Sequence, residues 1–153
     1  MSAPRVIATL EDLKALAGQE VGTTEWVTIT QEQVDLFAEA TGDHQWIHVD
    51  VERAQDGPFG GTIAHGFLTL SLLPSFGARL FALEFGGARL NYGLESVRFT
   101  NPVKVGARIR ASATFEEVND LAKGTQLVTR YVIEIEGVER PACIAQQITL
   151  ITG

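Results

Sequence analysis

One apolar segment limits how this chain can fold. Residues 57–78 are 22 consecutive positions without Asp, Glu, Lys or Arg. Over 66–83, leucine and phenylalanine residues fall on every side of a helical wheel, and a helix that is apolar all round must be covered by other structure or by lipid. A membrane span needs about 20 predominantly apolar residues, whereas this segment is interrupted by glycines, His65 and hydroxyl residues. We therefore predict a buried helix over 66–83, with a kink at Pro74 where a backbone hydrogen bond is lost.

From residue 90 onward the hydrophobic period changes to two, which is typical of half-buried strands. The alternating runs are 97–99, 108–115, 127–135 and 144–150. Asn119-Asp120 and Glu136-Gly137 supply turn residues between the later runs. A further strand is predicted over 24–29, ahead of the helices. This order of elements predicts an α+β fold, in which an antiparallel sheet is wrapped around the long apolar central helix.

Two shorter helices have recognisable ends. Thr9 can cap a helix that reaches Ala17. Thr30 and Gln33 form a capping box at the start of a second helix, and Gly42 suits its end because glycine adopts the left-handed conformation at low cost. The segment that follows Gly42 is therefore predicted to lie outside this helix.

Length and charge exclude several classes of protein. A chain of 153 residues has room for one domain, which we take as residues 1–153. Its 12 Lys and Arg against 19 Asp and Glu give a net charge of −7, so it lacks the positive field that attracts nucleic acids or anionic membranes. We therefore expect no nucleic-acid partner and no membrane partner. The single cysteine, Cys143, cannot form an internal disulfide, and the first residues lack the pattern of a signal peptide. These features predict a cytoplasmic location.

All three histidines, His44, His48 and His65, lie within 22 residues. Residues 43–61 show no clear periodicity and are predicted as a loop, the kind of segment that often carries function. His44 and His48 are four apart, which on a helix would place two metal ligands on one face. Gly42 ends the preceding helix, however, and the sequence has no HExxH motif. We therefore predict no metal site.

Asp43 and His48 fit acid–base chemistry better. A carboxylate and an imidazole five residues apart on one loop can converge on a single water molecule, and imidazole changes charge near neutral pH. Gly66, at the start of the apolar helix, offers a backbone N–H that no side chain shields, as an oxyanion hole requires. A glycine that only permits close packing would have the same signature. Nucleophilic catalysis finds no support, since GxSxG is absent and Cys143 lies in a predicted core strand.

Three segments together resemble the MaoC-like dehydratases, a family also called hydratase 2 or (R)-specific enoyl-CoA hydratases. They are TGDHQWIHVD at 41–50, IAHGF at 63–67 and NPVKVG at 101–106. The resemblance extends over about residues 24–153, and the segments follow the family's order. One departure is Gln45-Trp46, where many members carry Asn-Pro. Trp46 then either reshapes the acyl pocket or packs elsewhere.

The resemblance implies a hot-dog fold, with the sheet around the 66–83 helix, and a homodimer with active sites near its interface. It implies that water adds to a trans-2-enoyl thioester of coenzyme A to give an (R)-3-hydroxyacyl-CoA. The acid–base pair carries over onto Asp43 and His48, and the donor to the thioester carbonyl onto Gly66. No cofactor is expected, because coenzyme A is part of the substrate.

Two other functions compete with this one. A hot-dog acyl-CoA thioesterase usually has a carboxylate on or near the central helix, whereas residues 62–83 contain no Asp or Glu. A non-catalytic acyl-CoA-binding hot-dog protein would have no need of Asp43 and His48 at this spacing. An assay that follows both the double bond and free thiol separates the three functions.

Overall fold

A computed structural model describes residues 2–153 and places one antiparallel sheet against a set of short helices. The strands are β1 (Arg5–Ile7), β2 (Glu20–Thr23), β3 (Val27–Thr28), β4 (Phe81–Leu83), β5 (Arg89–Phe99), β6 (Arg108–Leu121), β7 (Gly124–Ile135) and β8 (Cys143–Ile151). The helices are α1 (Leu10–Ala15), α2 (Gln31–Thr41), α3 (Trp46–Val49), α4 (Val51–Gln55), α5 (Gly66–Ser71) and α6 (Leu73–Leu80). The predicted α+β fold is therefore confirmed.

The main sheet has the strand order β2-β6-β7-β8-β5, and β3 also pairs with β6. The alternation predicted for β6 is visible in its burial, because every second side chain is inaccessible: Ile109, Ala111, Ala113 and Phe115. The first three of these pack in one core with buried residues of the central helices. A period of two thus turns one face of the sheet toward the helices. β5 forms one edge of the sheet and, among the strands of residues 2–153, pairs only with β8.

The central helix is shorter than predicted and is divided in two. α5 ends at Ser71 and α6 begins at Leu73, so the break lies just before Pro74. Pro74 thereby falls in the first turn of α6, where a missing N–H costs no helical hydrogen bond. The prediction of helix over the last three residues is wrong, since these form β4, which pairs in parallel with β1.

The central helices are also open on one side. Leu68, Leu73, Phe76 and Leu80 are buried, as the apolar pattern requires. Phe67, in contrast, is 69% exposed, although the pattern predicts a helix covered all round. The sheet therefore covers one face of these helices and leaves the face with Phe67 open.

The buried face of α6 lies unusually close to the sheet at Gly77. A Cβ at this position would lie 2.5 Å from the hydroxyl oxygen of Tyr131 in β7. Such a contact is shorter than any that packed atoms tolerate, so glycine is what lets helix and sheet approach here. Burial raises the pKa of Tyr131, consistent with its place beneath the helix.

The N-caps predicted at Thr9 and Thr30 are confirmed, while the return bond from the Gln33 side chain stays a prediction. The hydroxyls of Thr9 and Thr30 accept hydrogen bonds from backbone N–H groups in the first turns of α1 and α2. Gly42 ends α2 with φ of 80°. In the described part of the chain, no helix has the length and apolar character needed to cross a membrane.

Three local predictions are wrong. The strand expected over 24–29 is interrupted, because the hydroxyl of Thr24 accepts the hydrogen bond of the Ala111 N–H in place of a main-chain carbonyl. The stretch expected to be a loop over 43–61 contains α3 and α4. The turn expected at Asn119-Asp120 lies just beyond, because β6 continues to Leu121.

Candidate active site

The end of α2 and the short helix α3 bring Asp43 and His48 together. The left-handed conformation of Gly42 reverses the chain, and Asp43 follows it. The Asp43 carboxylate is exposed, and its Oδ1 accepts a hydrogen bond from the N–H of Gln45 at 3.4 Å. α3 then begins at Trp46 and carries His48 into the protein. The loop predicted here is thus a tight helical turn that directs His48 inward.

His48 is 6% exposed and held in one tautomer. Its Nδ1 lies 2.7 Å from the main-chain oxygen of Ile63. A carbonyl oxygen only accepts, so Nδ1 carries the proton and Nε2 presents a lone pair. Burial lowers the pKa of His48 below 6.5 and is the largest influence on it. The bond to Ile63 and the charge of Asp43 act in the opposite direction, while His65 adds to the lowering. His48 is therefore neutral near pH 7 and can accept a proton at Nε2.

The side chain of Gln31 ties the segment around His48 to α2. Its Nε2 donates to the main-chain oxygen of His48 at 2.8 Å and also to Asp35. Its Oε1 accepts the hydroxyl proton of Thr62 at 2.6 Å. No local sequence signal marks Gln31 for this role, because its partners lie 17 and 31 residues away along the chain. Gln31 thus connects the two segments that supply His48 and Gly66.

His65 is the second buried histidine of the site. It is 2% exposed, and its ring is stacked on that of His48, with centroids 3.8 Å apart and planes inclined by 24°. Its Nε2 lies 3.0 Å from the main-chain oxygen of Asp43. The sequence marked His65 only as part of a clustered trio, and periodicity gives no signal for a stacked pair.

Asp43, His48 and His65 each offer a ligand atom, and these atoms lie within 4.8 Å of one another. The predicted convergence of Asp43 and His48 is thereby reproduced in space. The same atoms could be considered for a metal ion. A metal lies in the plane of each imidazole that binds it, however, and two rings stacked at 24° have planes that do not meet near their nitrogen atoms. The ring geometry therefore disfavours a metal ion bound by both histidines.

Gly66 opens α5 directly after His65, so helix geometry leaves its N–H without an intrahelical partner. The ring of Phe99 covers its Cα, and a Cβ at Gly66 would lie 3.2 Å from that ring. Beside it opens a pocket of ≈ 380 Å³. The pocket is lined by His48, Phe59, Ile63, Ala64, Gly66, Thr69, Phe99, Asn101, Pro102, Val103 and Ala142. His48 is the titratable member of this lining, and it connects the pocket to the Asp43 carboxylate.

Two neighbours in the motif serve other purposes. His44 is exposed and lies 3.7 Å from the carboxylate of Glu39, away from the stacked pair. Trp46 packs against the guanidinium of Arg53, 4.2 Å from its ring centre, and lies close to Gly57. Of the two roles considered for Trp46, the structure therefore supports packing outside the pocket.

Comparison with known proteins adds to this geometry. The family model for the MaoC like domain matches residues 12–138, which include Asp43, His48, His65 and Gly66. The chain belongs to the MaoC-like dehydratase family. The family expected from the three sequence segments is thus confirmed.

Two relatives and one solved structure show how far the similarity extends. The 3-hydroxyacyl-thioester dehydratase Z of Mycobacterium tuberculosis is 52% identical over 145 residues, covering 94% of this chain and 96% of the relative. Nodulation protein N of Rhizobium leguminosarum is 47% identical, covering 94% and 91%. The solved (R)-hydratase from A. caviae superposes with a TM-score of 0.72 at 23% identity, covering 88% of this chain and 96% of the other. This likeness confirms the hot-dog fold.

Proposed function

We propose that the protein adds water to trans-2-enoyl-CoA to give (R)-3-hydroxyacyl-CoA, and catalyses the reverse dehydration. The observation that carries this proposal is the convergence of an exposed carboxylate and a buried, neutral imidazole within 4.8 Å. The pocket next to them is mostly apolar and is lined in part by Gly66. An acyl chain needs the apolar walls, and its thioester carbonyl needs the Gly66 N–H.

The side chains of His48 and Asp43 can handle both protons of the water molecule in this reaction. The oxygen of water bonds to C3, and one of its protons passes to Nε2 of His48. The π electrons move toward C2 and the thioester oxygen, where the Gly66 N–H stabilises the developing negative charge. The His48 imidazolium then returns the proton to C2. The Asp43 carboxylate accepts a hydrogen bond from the second O–H of the water, and its negative charge stabilises the imidazolium. The reaction thereby adds H and OH without a metal or redox cofactor.

The thioester class of the substrate is supported by the relative that is named a 3-hydroxyacyl-thioester dehydratase. Coenzyme A as the thiol component and the (R) configuration follow the resemblance of the site segments. We propose the cytoplasm as the place of action, where the buried free thiol of Cys143 stays reduced.

The protein is proposed to act as a homodimer joined through β5. This strand is 11 residues long and lies at the edge of the main sheet. It exposes apolar side chains, among them Leu90, Tyr92, Leu94 and Phe99, which are 43–48% accessible. A long apolar edge strand is a template for pairing with another strand. Because Phe99 also lines the pocket, a partner seated here would lie next to the site.

The proposal is tested by incubating the protein with crotonyl-CoA while the conjugated thioester absorbance and free thiol are both followed. Hydration lowers the absorbance without releasing thiol. Release of thiol would identify a thioesterase instead, and no change in either signal would identify a non-catalytic binder. The product is then offered to an (S)-specific 3-hydroxyacyl-CoA dehydrogenase. We expect no reduced nicotinamide, and strong coupling would rule out the (R) configuration.

A further inference from the structure

His65 makes contacts that the proposed reaction does not require. It is 2% exposed, with Phe37 packed against it at 4.9 Å between ring centres and His48 stacked on it at 3.8 Å. Its Nε2 lies 3.0 Å from the main-chain oxygen of Asp43, and because a carbonyl only accepts, Nε2 carries the proton. One buried side chain thus contacts both members of the acid–base pair.

The other nitrogen of His65 is poorly placed for a residue that only packs. Within residues 2–153, its Nδ1 is buried and has no hydrogen-bond partner. A buried polar atom without a partner is unfavourable. Phenylalanine or leucine would fill the same space without that cost, but neither could donate a hydrogen bond to Asp43. The bond to Asp43 is therefore what the imidazole adds to this position.

That bond acts where Asp43 has little other support. Asp43 follows the C-cap Gly42, and its exposed side chain has a long 3.4 Å hydrogen bond with Gln45. Its main-chain oxygen, in contrast, is held by a ring that is packed against Phe37 and His48. His65 also directly precedes Gly66 in the chain. The position of one ring therefore links Asp43, His48 and Gly66.

We propose that His65 is a positioning residue, which fixes the main chain of Asp43 through Nε2–H and supports the His48 ring by stacking. The inference rests on the proposed function, since it takes Asp43 and His48 as the reacting pair. If the separation of these groups is set by His65, its loss must affect turnover more than substrate binding, because a misplaced reacting group slows the chemical step.

The charges around His48 give a second readout that does not depend on activity. Burial and a charge on His65 lower the pKa of His48, whereas the Ile63 carbonyl and the Asp43 carboxylate raise it. Glutamine at position 65 removes the imidazole, and with it one of the lowering influences, but its amide can still hold Asp43, so both raising influences stay. The His48 ring should then take up its proton at higher pH in that variant.

The kinetic test compares His65→Phe, which keeps a flat ring but cannot donate, with His65→Gln, which can donate from its amide. Phe76→Leu is the control for lost packing, because Phe76 is buried in the core and is not part of the site. We expect His65→Phe to lower kcat on crotonyl-CoA by roughly 10- to 100-fold while KM changes by less than about threefold. His65→Gln should regain a measurable part of the loss. A kcat within about twofold of wild type in His65→Phe would overturn the inference. It would also be overturned if Phe76→Leu lost as much kcat as His65→Phe while the two variants had the same Tm.

The second test is an NMR titration of the His48 imidazole in wild type and both His65 variants. We expect His48 to titrate at higher pH than wild type in His65→Gln, and at lower pH in His65→Phe than in His65→Gln, because phenylalanine cannot hold the Asp43 carboxylate near it. The carbonyl carbon resonance of Asp43 should move in His65→Phe and stay nearer to wild type in His65→Gln. If the wild type does not hydrate crotonyl-CoA, the proposed function fails and these spectra alone decide the inference. Unchanged His48 and Asp43 signals would then overturn it.

Discussion

Nδ1 of His48 donates a hydrogen bond to the main-chain oxygen of Ile63 at 2.7 Å. The N–H of Ile63 in turn donates to the oxygen of Ile47, the residue before His48, at 3.0 Å. These two bonds fix both the backbone and the tautomer of the histidine, so that Nε2 is the nitrogen left for chemistry.

The pH dependence of turnover should follow from this arrangement. Because the pKa of His48 lies below 6.5, we expect kcat/KM for hydration to fall on the acid side with an apparent pKa under 6.5. Folding stability should respond to the same proton. The unfolded chain binds it near pH 6.5 while the folded chain does not, so the free energy of unfolding decreases as pH falls from 6.5 toward the folded pKa. A kcat/KM profile and thermal melts in matched buffers measure both. An acid limb above pH 6.5 would contradict the assignment.

Asp43→Asn and His48→Gln should each lower kcat by a factor of roughly 10²–10⁴, the range for a lost acid–base group. The double variant should be little worse than the poorer single variant, because residues that act on one water form a unit. We expect Tm to move little in Asp43→Asn, since that side chain is exposed, and more in His48→Gln, since His48 is buried. A double-mutant cycle on kcat makes the measurement. Fully multiplicative losses would place the two residues in separate roles.

Gly66→Pro removes the N–H that is proposed to bind the thioester oxygen. Proline suits the first position of a helix, and His65 already has φ −59° and ψ 138°, which a following proline favours. Gly66→Ala is the matched control, because its Cβ also meets the Phe99 ring but its N–H remains. We expect kcat to be lower in Gly66→Pro than in Gly66→Ala by roughly 10²-fold or more. Equal kcat in two folded variants would remove Gly66 from the mechanism.

Gln31→Leu should weaken both stability and turnover. It leaves the Thr62 hydroxyl and the His48 carbonyl without their partner, which costs about 1–3 kcal/mol when such groups are buried. We also expect a kcat about tenfold lower, since the segment carrying His48 loses its tie to α2. Asp35→Ala is the control, because it removes the other partner of the same amide and leaves the His48 bond intact. Chemical denaturation and crotonyl-CoA kinetics compare Gln31→Leu with Asp35→Ala. If the two variants have the same stability and the same kcat, the hydrogen bonds from Gln31 to His48 and Thr62 have no role in turnover.

Leu94→Lys should disrupt the proposed homodimer, because lysine on an exposed edge strand opposes strand pairing. Val138→Lys offers a close control: each side chain is 43% exposed, but Val138 lies in the turn after β7. Light scattering coupled to size exclusion should report a dimer for wild type and Val138→Lys, and a shift toward monomer for Leu94→Lys. A monomeric wild type would exclude the dimer altogether.

Local signals account for the parts of the fold that the sequence predicted. Helix starts at Thr9 and Thr30 depend on atoms three residues apart, and the burial of β6 follows a period of two. Asp43 and His48 were found because they are five residues apart in a family motif. In each case the physical cause lies within one short stretch of chain.

The missed features depend on contacts between distant residues. Gln31 meets Thr62 across 31 positions, and His65 meets Asp43 across 22. The strand at 81–83 likewise depends on pairing with β1, which lies more than 70 residues earlier in the chain, and the break before Pro74 lies in the helices that pack on the sheet. Hydrophobic periodicity describes one element at a time, so it carries no information on such pairs.

α3 and α4 are only four and five residues long. Helices of this length do not persist in isolation. α3 therefore depends on the hydrogen bonds that His48 makes with Gln31 and Ile63. α4 follows directly and depends on its cap, in which the Asp50 side chain accepts from the Arg53 N–H. This part of the chain should therefore open as a unit of its own, at lower free energy than the sheet. Amide hydrogen exchange across 43–57 should be faster than in β6 and β7, and it should slow when an acyl thioester occupies the pocket. Part of the free energy of thioester binding would then go into ordering residues 43–57, so the affinity for substrate would depend on the local stability of α3 and α4.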